Sequence, residues 1–120
     1  MKTHKDLLLW QKSIDFVTEI YITTQHFPKD EQYGIASQLR RAAVSIPSNI
    51  AEGAARNSDK EFIRFLSIAR GSASEIETLL LISKNLEYLQ EVYEEKQEKL
   101  TEINKMLNAL ISKIKQRTSN

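Results

Sequence analysis

The chain contains no cysteine, so disulfides and thiolate metal sites are closed to it. That absence fits a reducing compartment. Glycine and proline are scarce, at three and two in 120 residues, and so few breakers favour long helices over many short strands. Long apolar runs are missing as well. Leu7–Trp10 and Leu79–Ile82 are the longest, far short of the roughly 20 residues that span a bilayer. The basic start, Met-Lys-Thr-His-Lys, leads into no apolar stretch with a small-residue cleavage site, so the expected location is the cytoplasm and no membrane partner is expected. Charge of one sign is lacking too. The net charge is +1, so nucleic acid could be bound only through a local patch.

The usual marks of catalysis are also missing. His4 and His26 lie near opposite ends of the first helical segment and form no His-Glu-x-x-His pair. There is no glycine-rich phosphate loop and no Gly-x-Ser-x-Gly elbow. Glu75 and Glu77 stand two apart and diverge on a helix, and the paired Glu-x-x-His of di-iron bundles is absent. The expectation is a protein with no enzymatic activity, metal, cofactor or small-molecule substrate.

What is present is helical periodicity. The spacing predicts four helices, over about 5–26, 30–56, 59–86 and 91–117. In the first, Trp10, Ile14, Val17 and Tyr21 recur on one face, and Leu9, Phe16, Ile20 and Phe27 form a second stripe. Phe27-Pro28 ends it, because proline disfavours helical geometry in the residue before it. The second is expected to start at Asp30 as N-cap, with Glu31 suiting the positive end of the dipole, and to end at Asn57 in a left-handed conformation. Its core face holds Ile35, Leu39, Ala42, Ile46 and Gly53, where the glycine permits close helix contact. A second stripe holds Ala36, Arg40, Val44, Pro47 and Ala51. Pro47 costs about 3 kcal/mol inside a helix. The apolar spacing continues past it in phase, so a kink is expected, with Ser45 and Ser48 placed to re-satisfy freed carbonyls.

The third helix has the clearest start. Ser58-Asp-Lys-Glu61 fits a capping box, with Ser58 capping and Glu61 reaching back. Phe62, Phe65, Leu66, Ala69, Ala73, Ile76 and Leu80 line its core face, and Ile68, Leu79, Ile82 and Leu86 widen the arc. Ser67, Gly71, Ser74 and Thr78 form a stripe of small residues opposite, read as a close-packing face. The turn to the fourth helix, between Asn85 and Gln90, holds no glycine or proline. The fourth has one apolar face, Val92, Leu100, Ile103, Leu107, Leu110 and Ile114, interrupted by Lys96. Residues 118–120 are expected to fray.

Four long helices joined by short connections imply an all-α, antiparallel up-down-up-down four-helix bundle forming one domain over 1–120. Each buried Leu, Ile or Phe contributes roughly 1.5–3 kcal/mol before entropy is set against it. One bundle core leaves the second stripes unexplained. Self-association is therefore expected, with helix 4 facing solvent and Ala36, Arg40, Val44, Pro47, Ala51, Leu9, Phe16 and Ile20 as interface candidates. Broad apolar arcs from close packing within a single bundle are the alternative.

The stretch Gln38-Leu-Arg-Arg-Ala-Ala-Val-Ser-Ile-Pro-Ser-Asn-Ile-Ala-Glu-Gly53 resembles the hallmark of the 23S rRNA intervening-sequence proteins, a bacterial four-helix-bundle family. The leading Leu-Trp, Phe27-Pro28 before Tyr33-Gly34, Glu61-Phe-Ile-Arg-Phe-Leu, and the segment from Ala69 to Thr78 extend the resemblance over nearly the whole chain. Helix 4 carries only periodicity. The glycine common near the family's helix 3–4 turn is absent from Asn85-Leu-Glu-Tyr-Leu. The resemblance implies an antiparallel bundle, a homopentameric ring, and no established enzymatic activity. It also implies a relationship to the nucleic-acid-binding accessory protein of diversity-generating retroelements.

Arg40, Arg41, Arg56, Lys60, Arg64 and Arg70 cluster in helices 2 and 3 and are the nucleic-acid-binding candidates, since the planar guanidinium matches phosphate geometry. Glu52, Glu61, Glu75 and Glu77 lie in the same segments and can pair with them. Two readings therefore stand: a homo-oligomer that binds RNA or DNA, or a structural scaffold whose arginines serve assembly.

Overall fold

Leu8–Thr24 (α1), Ile35–Ala54 (α2), Asp59–Asn85 (α3) and Tyr93–Ser119 (α4) are the four α-helices of the computed structural model, which describes residues 3–119. Single 3-10 turns, His4–Asp6 and Lys29–Glu31, precede α1 and α2. Each helix packs on the next in sequence, and α1 meets α4 to close the ring, the least extensive of the four contacts. The result is an up-down-up-down bundle 50 Å long and 20 Å across. Phe16, Ile20, Leu39, Ile46, Ile50, Leu66, Ile76, Leu80, Ile103, Leu107 and Ile114 form its sealed axis.

The helix ends correct the sequence reading in several places. α2 does not start at Asp30. The chain makes a 3-10 turn at Lys29–Glu31 and enters α2 after Gly34, whose position carries no side-chain cap. Asn57 is not left-handed, and α2 ends at Ala54. Ser58 does cap α3, accepting the Glu61 N–H at 3.2 Å. Glu61 does not reach back; its carboxylate takes Arg64 instead, at 2.9 and 3.2 Å. α4 continues to Ser119 rather than fraying from 118, and Asn120 lies outside the described residues, as do Met1 and Lys2.

Glu87, with φ 65°, is the one non-glycine residue at positive φ among those described. Its N–H donates to Lys84 O at 2.9 Å and the Tyr88 N–H to Ser83 O at 2.9 Å, the paired closing bonds of a Schellman turn. Tyr88 then anchors the turn across the end of the bundle. Its ring packs against Phe27 and its hydroxyl donates to Glu31 Oε2 at 3.0 Å.

α2 runs through Pro47 without interruption. Asn49, rather than Ser45 or Ser48, answers a carbonyl near the proline, its Nδ2 donating to Ser45 O at 2.7 Å. Gly53 meets α3 closely, as its place on the core face implies. A Cβ there would lie 2.9 Å from both Phe62 Cδ1 and Phe65 Cβ. The small-residue stripe on α3 is not a packing face within the bundle: Gly71 is exposed, with nothing within 4 Å of a Cβ built on it. Lys96, the interruption on α4, is 5% exposed and points its ammonium at Glu19 of α1, 2.9 Å away.

Candidate functional site

Four of the six basic candidates are engaged by the fold itself. Thr24 closes α1, and its hydroxyl donates to Ile20 O at 2.7 Å. Gln32, in the loop before α2, donates to Thr24 O at 2.9 Å and Phe27 O at 3.1 Å. Arg40 reaches across from α2 and ties both together. Its Nε donates to Thr24 Oγ1 at 2.8 Å, its NH2 nitrogen to Gln32 Oε1 at 3.0 Å, and its guanidinium lies 5.3 Å from the centre of the Tyr21 ring. A cation at this place also meets the negative end of the α1 dipole. Arg40 is thus a clamp on the α1–α2 connection.

Arg56 and Arg64 share one aromatic ring, their guanidinium carbons 5.1 and 4.5 Å from the Phe65 centroid. Each also has an acidic partner on its own side: Glu52 for Arg56 at 3.1 Å and Glu61 for Arg64. The hydrogen bond from Arg64 holds the Glu61 carboxyl below its ordinary range and raises Arg64 in turn. Arg70 donates to Asn108 Oδ1 on α4 at 3.0 Å. Arg41 and Lys60 are exposed and make no hydrogen bond or ion pair among the described residues. Arg56 and Arg64 thus meet at Phe65, while Arg40 and Arg70 are held by other elements of the fold.

The interface candidates also divide. Leu9, Phe16, Ile20, Ala36 and Pro47 are buried in their own bundle, which corrects their assignment to an outward stripe. On the other stripe of α1, Trp10 and Val17 are half-buried against the core, and Ile14 and Tyr21 face outward. Trp10, Ile14 and Val17, with Val44, Pro47, Ser48 and Ala51 of α2 and His4 set edge-on against Trp10 at 5.0 Å, line a shallow apolar groove of about 380 Å³, while the Tyr21 ring lies outside it beside Arg40. Ile14, Tyr21 and Val44 remain 38%, 43% and 39% exposed. One signal in the sequence pointed this way: Trp and Tyr carry polar tips and favour half-exposed positions over a sealed core.

No arrangement for nucleophilic chemistry was found along the α2–α3 seam. Ser72 Oγ donates to Ser45 Oγ at 2.8 Å and Asn49 Nδ2 reaches the same hydroxyl at 3.0 Å, a chain that ends on an amide rather than on a base. Among the described residues no group of His, Asp or Glu is placed to hold a metal ion, and no helix is long and apolar enough to cross a membrane.

Fold and surface together define an antiparallel four-helix-bundle protein with an apolar flank and arginines held mostly by its own side chains. Residues 5–109 match the family model of the 23S rRNA-intervening sequence proteins, and the chain belongs to that family. Among solved structures it is similar to a protein of unknown function from the S23 ribosomal protein family of Bacteroides thetaiotaomicron. The two share 31% identity at a TM-score of 0.78, over 87% of this chain and 98% of the other. No curated protein matches it.

Proposed function

We propose that the protein is a non-catalytic, cytoplasmic assembly module whose copies join through the α1–α2 groove into a homo-oligomer, the pentameric ring that the family resemblance implies. The observation that carries this reading is the apolar flank of Trp10, Ile14 and Val17 beside Val44 and Ala51, which no element among the described residues covers and where Ile14 and Val44 stay exposed. A ring needs two different surfaces on each subunit. α3 offers the second, where Ile68, Glu75 and Ile82 recur every seven residues and stay exposed. The charges are complementary: Arg41, three residues before Val44, has no partner in its own bundle, and Glu75 has none in its own.

Native mass spectrometry and sedimentation velocity of the whole chain test the reading. The expected result is one oligomer larger than a dimer, converted to folded monomers by Val44→Glu. A wild-type monomer at micromolar concentration would overturn it.

Nucleic-acid binding is the second reading, favoured by one observation. Arg56 and Arg64 flank Phe65 at the α2–α3 turn, next to the unpaired Lys60, and each guanidinium retains donors beyond its carboxylate contact. Repeated around a ring, these groups would form a basic rim. A mobility shift with structured RNA or duplex DNA tests it. Binding should weaken with salt at a slope of roughly −0.9 per duplex phosphate neutralised, and no shift at low salt would end the idea.

A further inference from the structure

Gly71 stands in the middle of α3 for no reason inside its own bundle. It is exposed, its φ is not positive, and a Cβ built on it meets nothing within 4 Å. Glycine is the least favoured residue in a helix after proline, and within a single bundle alanine would serve better. What glycine offers at such a place is close approach by another backbone.

Gly71 belongs to an exposed strip on α3, formed by Ile68, Gly71, Glu75, Thr78 and Ile82 at spacings of three and four. At the edge of the α1–α2 groove, α2 presents an outward ridge with the same spacing, formed by Ser37, Arg41, Val44, Ser48 and Ala51. Each line carries a single charge. Arg41 on α2 and Glu75 on α3 have opposite sign, and neither has a partner among the described residues.

The two charges also stand at one height. Ser72 Oγ donates to Ser45 Oγ at 2.8 Å, which sets α2 and α3 level at those residues. Arg41 lies four residues from Ser45 and Glu75 three from Ser72, toward the same end of the bundle. With a rise of about 1.5 Å per residue, their heights agree to about 1.5 Å. Toward the other end Ser48 and Ile68 agree as closely, and Val44 and Gly71 lie between the two pairs. Rotation about an axis parallel to the helices keeps every height, so level groups on two different faces meet in a ring.

We propose that α3 of one copy lies along the α1–α2 groove of the next in this one register. Arg41 meets the neighbour's Glu75, Val44 and Ser48 pack on the neighbour's Ile68, and the neighbour's Gly71 lets the two helices close. The occupant is a second copy because strip and ridge belong to one chain and match in spacing, charge and height. This register rests on the α1–α2 flank being the contact between copies, and adds which surface of the neighbour fills it.

The test uses the full chain, which has no cysteine of its own. Ser48→Cys and Ile68→Cys chains are purified separately and from co-expression, then treated with a short bis-maleimide. Cross-linked dimers are expected from the co-expressed mixture and from neither variant alone, since one cysteine per chain cannot link within a chain. Dimers from one variant alone would place like faces together across a two-fold axis and overturn the proposal. So would a mixture that assembles yet yields no dimers. Charge reversal gives a second arm. Arg41→Glu and Glu75→Arg should each weaken assembly about tenfold or more, and the double variant should regain most of the loss. Reversals without effect, or without recovery in the double variant, would sink the register. Circular dichroism verifies that each variant is folded. A wild-type monomer would instead end the α1–α2 reading itself, so the two failures are distinct.

Discussion

Lys96 Nζ and Glu19 Oε1 stand 2.9 Å apart across the α1–α4 seam, the lysine sealed and the carboxylate shared with Lys99 at 2.6 Å. Glu95 completes the cluster at 3.2 Å from Lys96, and Lys12 pairs with Glu102 further along the same seam. The side of the bundle with the least helix contact is thus closed by ion pairs over Phe16 and Ile103. A lysine at a core position keeps its charge only where a carboxylate meets it.

Glu19→Ala is expected to destabilise the fold by about 1–2 kcal/mol. This is less than the roughly 3–5 kcal/mol of a fully sealed pair, because Glu95 still reaches Lys96. Adding Lys96→Met should recover most of the loss, since the stranded charge goes with it. Thermal melts of the single and double variants measure both.

The same cluster sets a pH dependence. Burial raises the Glu19 carboxyl, but hydrogen bonds from Lys99 and Lys96 outweigh it and hold the group below its ordinary range. A carboxyl depressed in the folded state contributes stability above its unfolded pKa, near 4.3, and loses that contribution as pH falls through the lower folded value. The melting temperature should therefore drop below about pH 4.3, and Glu19→Gln should flatten that limb of the curve.

Glu87→Gly should stabilise the protein. A left-handed L-residue costs about 1–2 kcal/mol, and the added freedom of glycine in the unfolded chain returns about 0.4–1, leaving a net gain near 1 kcal/mol or a little less. Chemical denaturation at fixed pH measures it. A loss of stability would mean that the Glu87 side chain holds the turn.

The two glycines on helices should respond to alanine with opposite signs. Gly71→Ala fills open space on an exposed helix and should gain about 0.5–1 kcal/mol. Gly53→Ala should lose about 1–3 kcal/mol, because Phe65 Cβ is fixed to its backbone and cannot withdraw from a new methyl 2.9 Å away.

Arg40 and Arg41 are adjacent in sequence and should differ in effect. Arg40→Met removes charge-assisted bonds to Thr24 and Gln32 and should cost about 1.5–3 kcal/mol. Arg41→Ala touches no partner and should stay within about 0.5 kcal/mol in a folded-monomer background such as Val44→Glu. Melts of the paired variants give the comparison.

Much of the bundle was legible before its coordinates. The Ser58 cap, the close approach at Gly53, the single face of α4 and the proline-tolerant α2 are local or periodic features, and period and capping chemistry read directly from residue types. The misplaced start of α2 has an identifiable cause. Phe27-Pro28 and Gly34 bracket a segment where Asp30 looks like a cap. There, Gln32 bonds the end of α1 and Tyr88 bonds Glu31 from the far turn, and neither partner is near in sequence.

The two stripes of α1 show where sequence stops. The order of residues determined that α1 has two apolar faces, that α2 has a second stripe of small residues with an arginine, and that α4 has one face broken by Lys96. Which face of α1 turns inward was decided only when four helices packed. Leu9, Phe16 and Ile20 interlock with the core, Trp10 is half-buried, and Ile14 and Tyr21 stay outside, because burial depends on what stands opposite and a helical period carries no information about that. Charge followed the same rule: Arg40 found Thr24 and Lys96 found Glu19, and the tertiary structure alone shows which cations the fold holds and which carboxylates it leaves open.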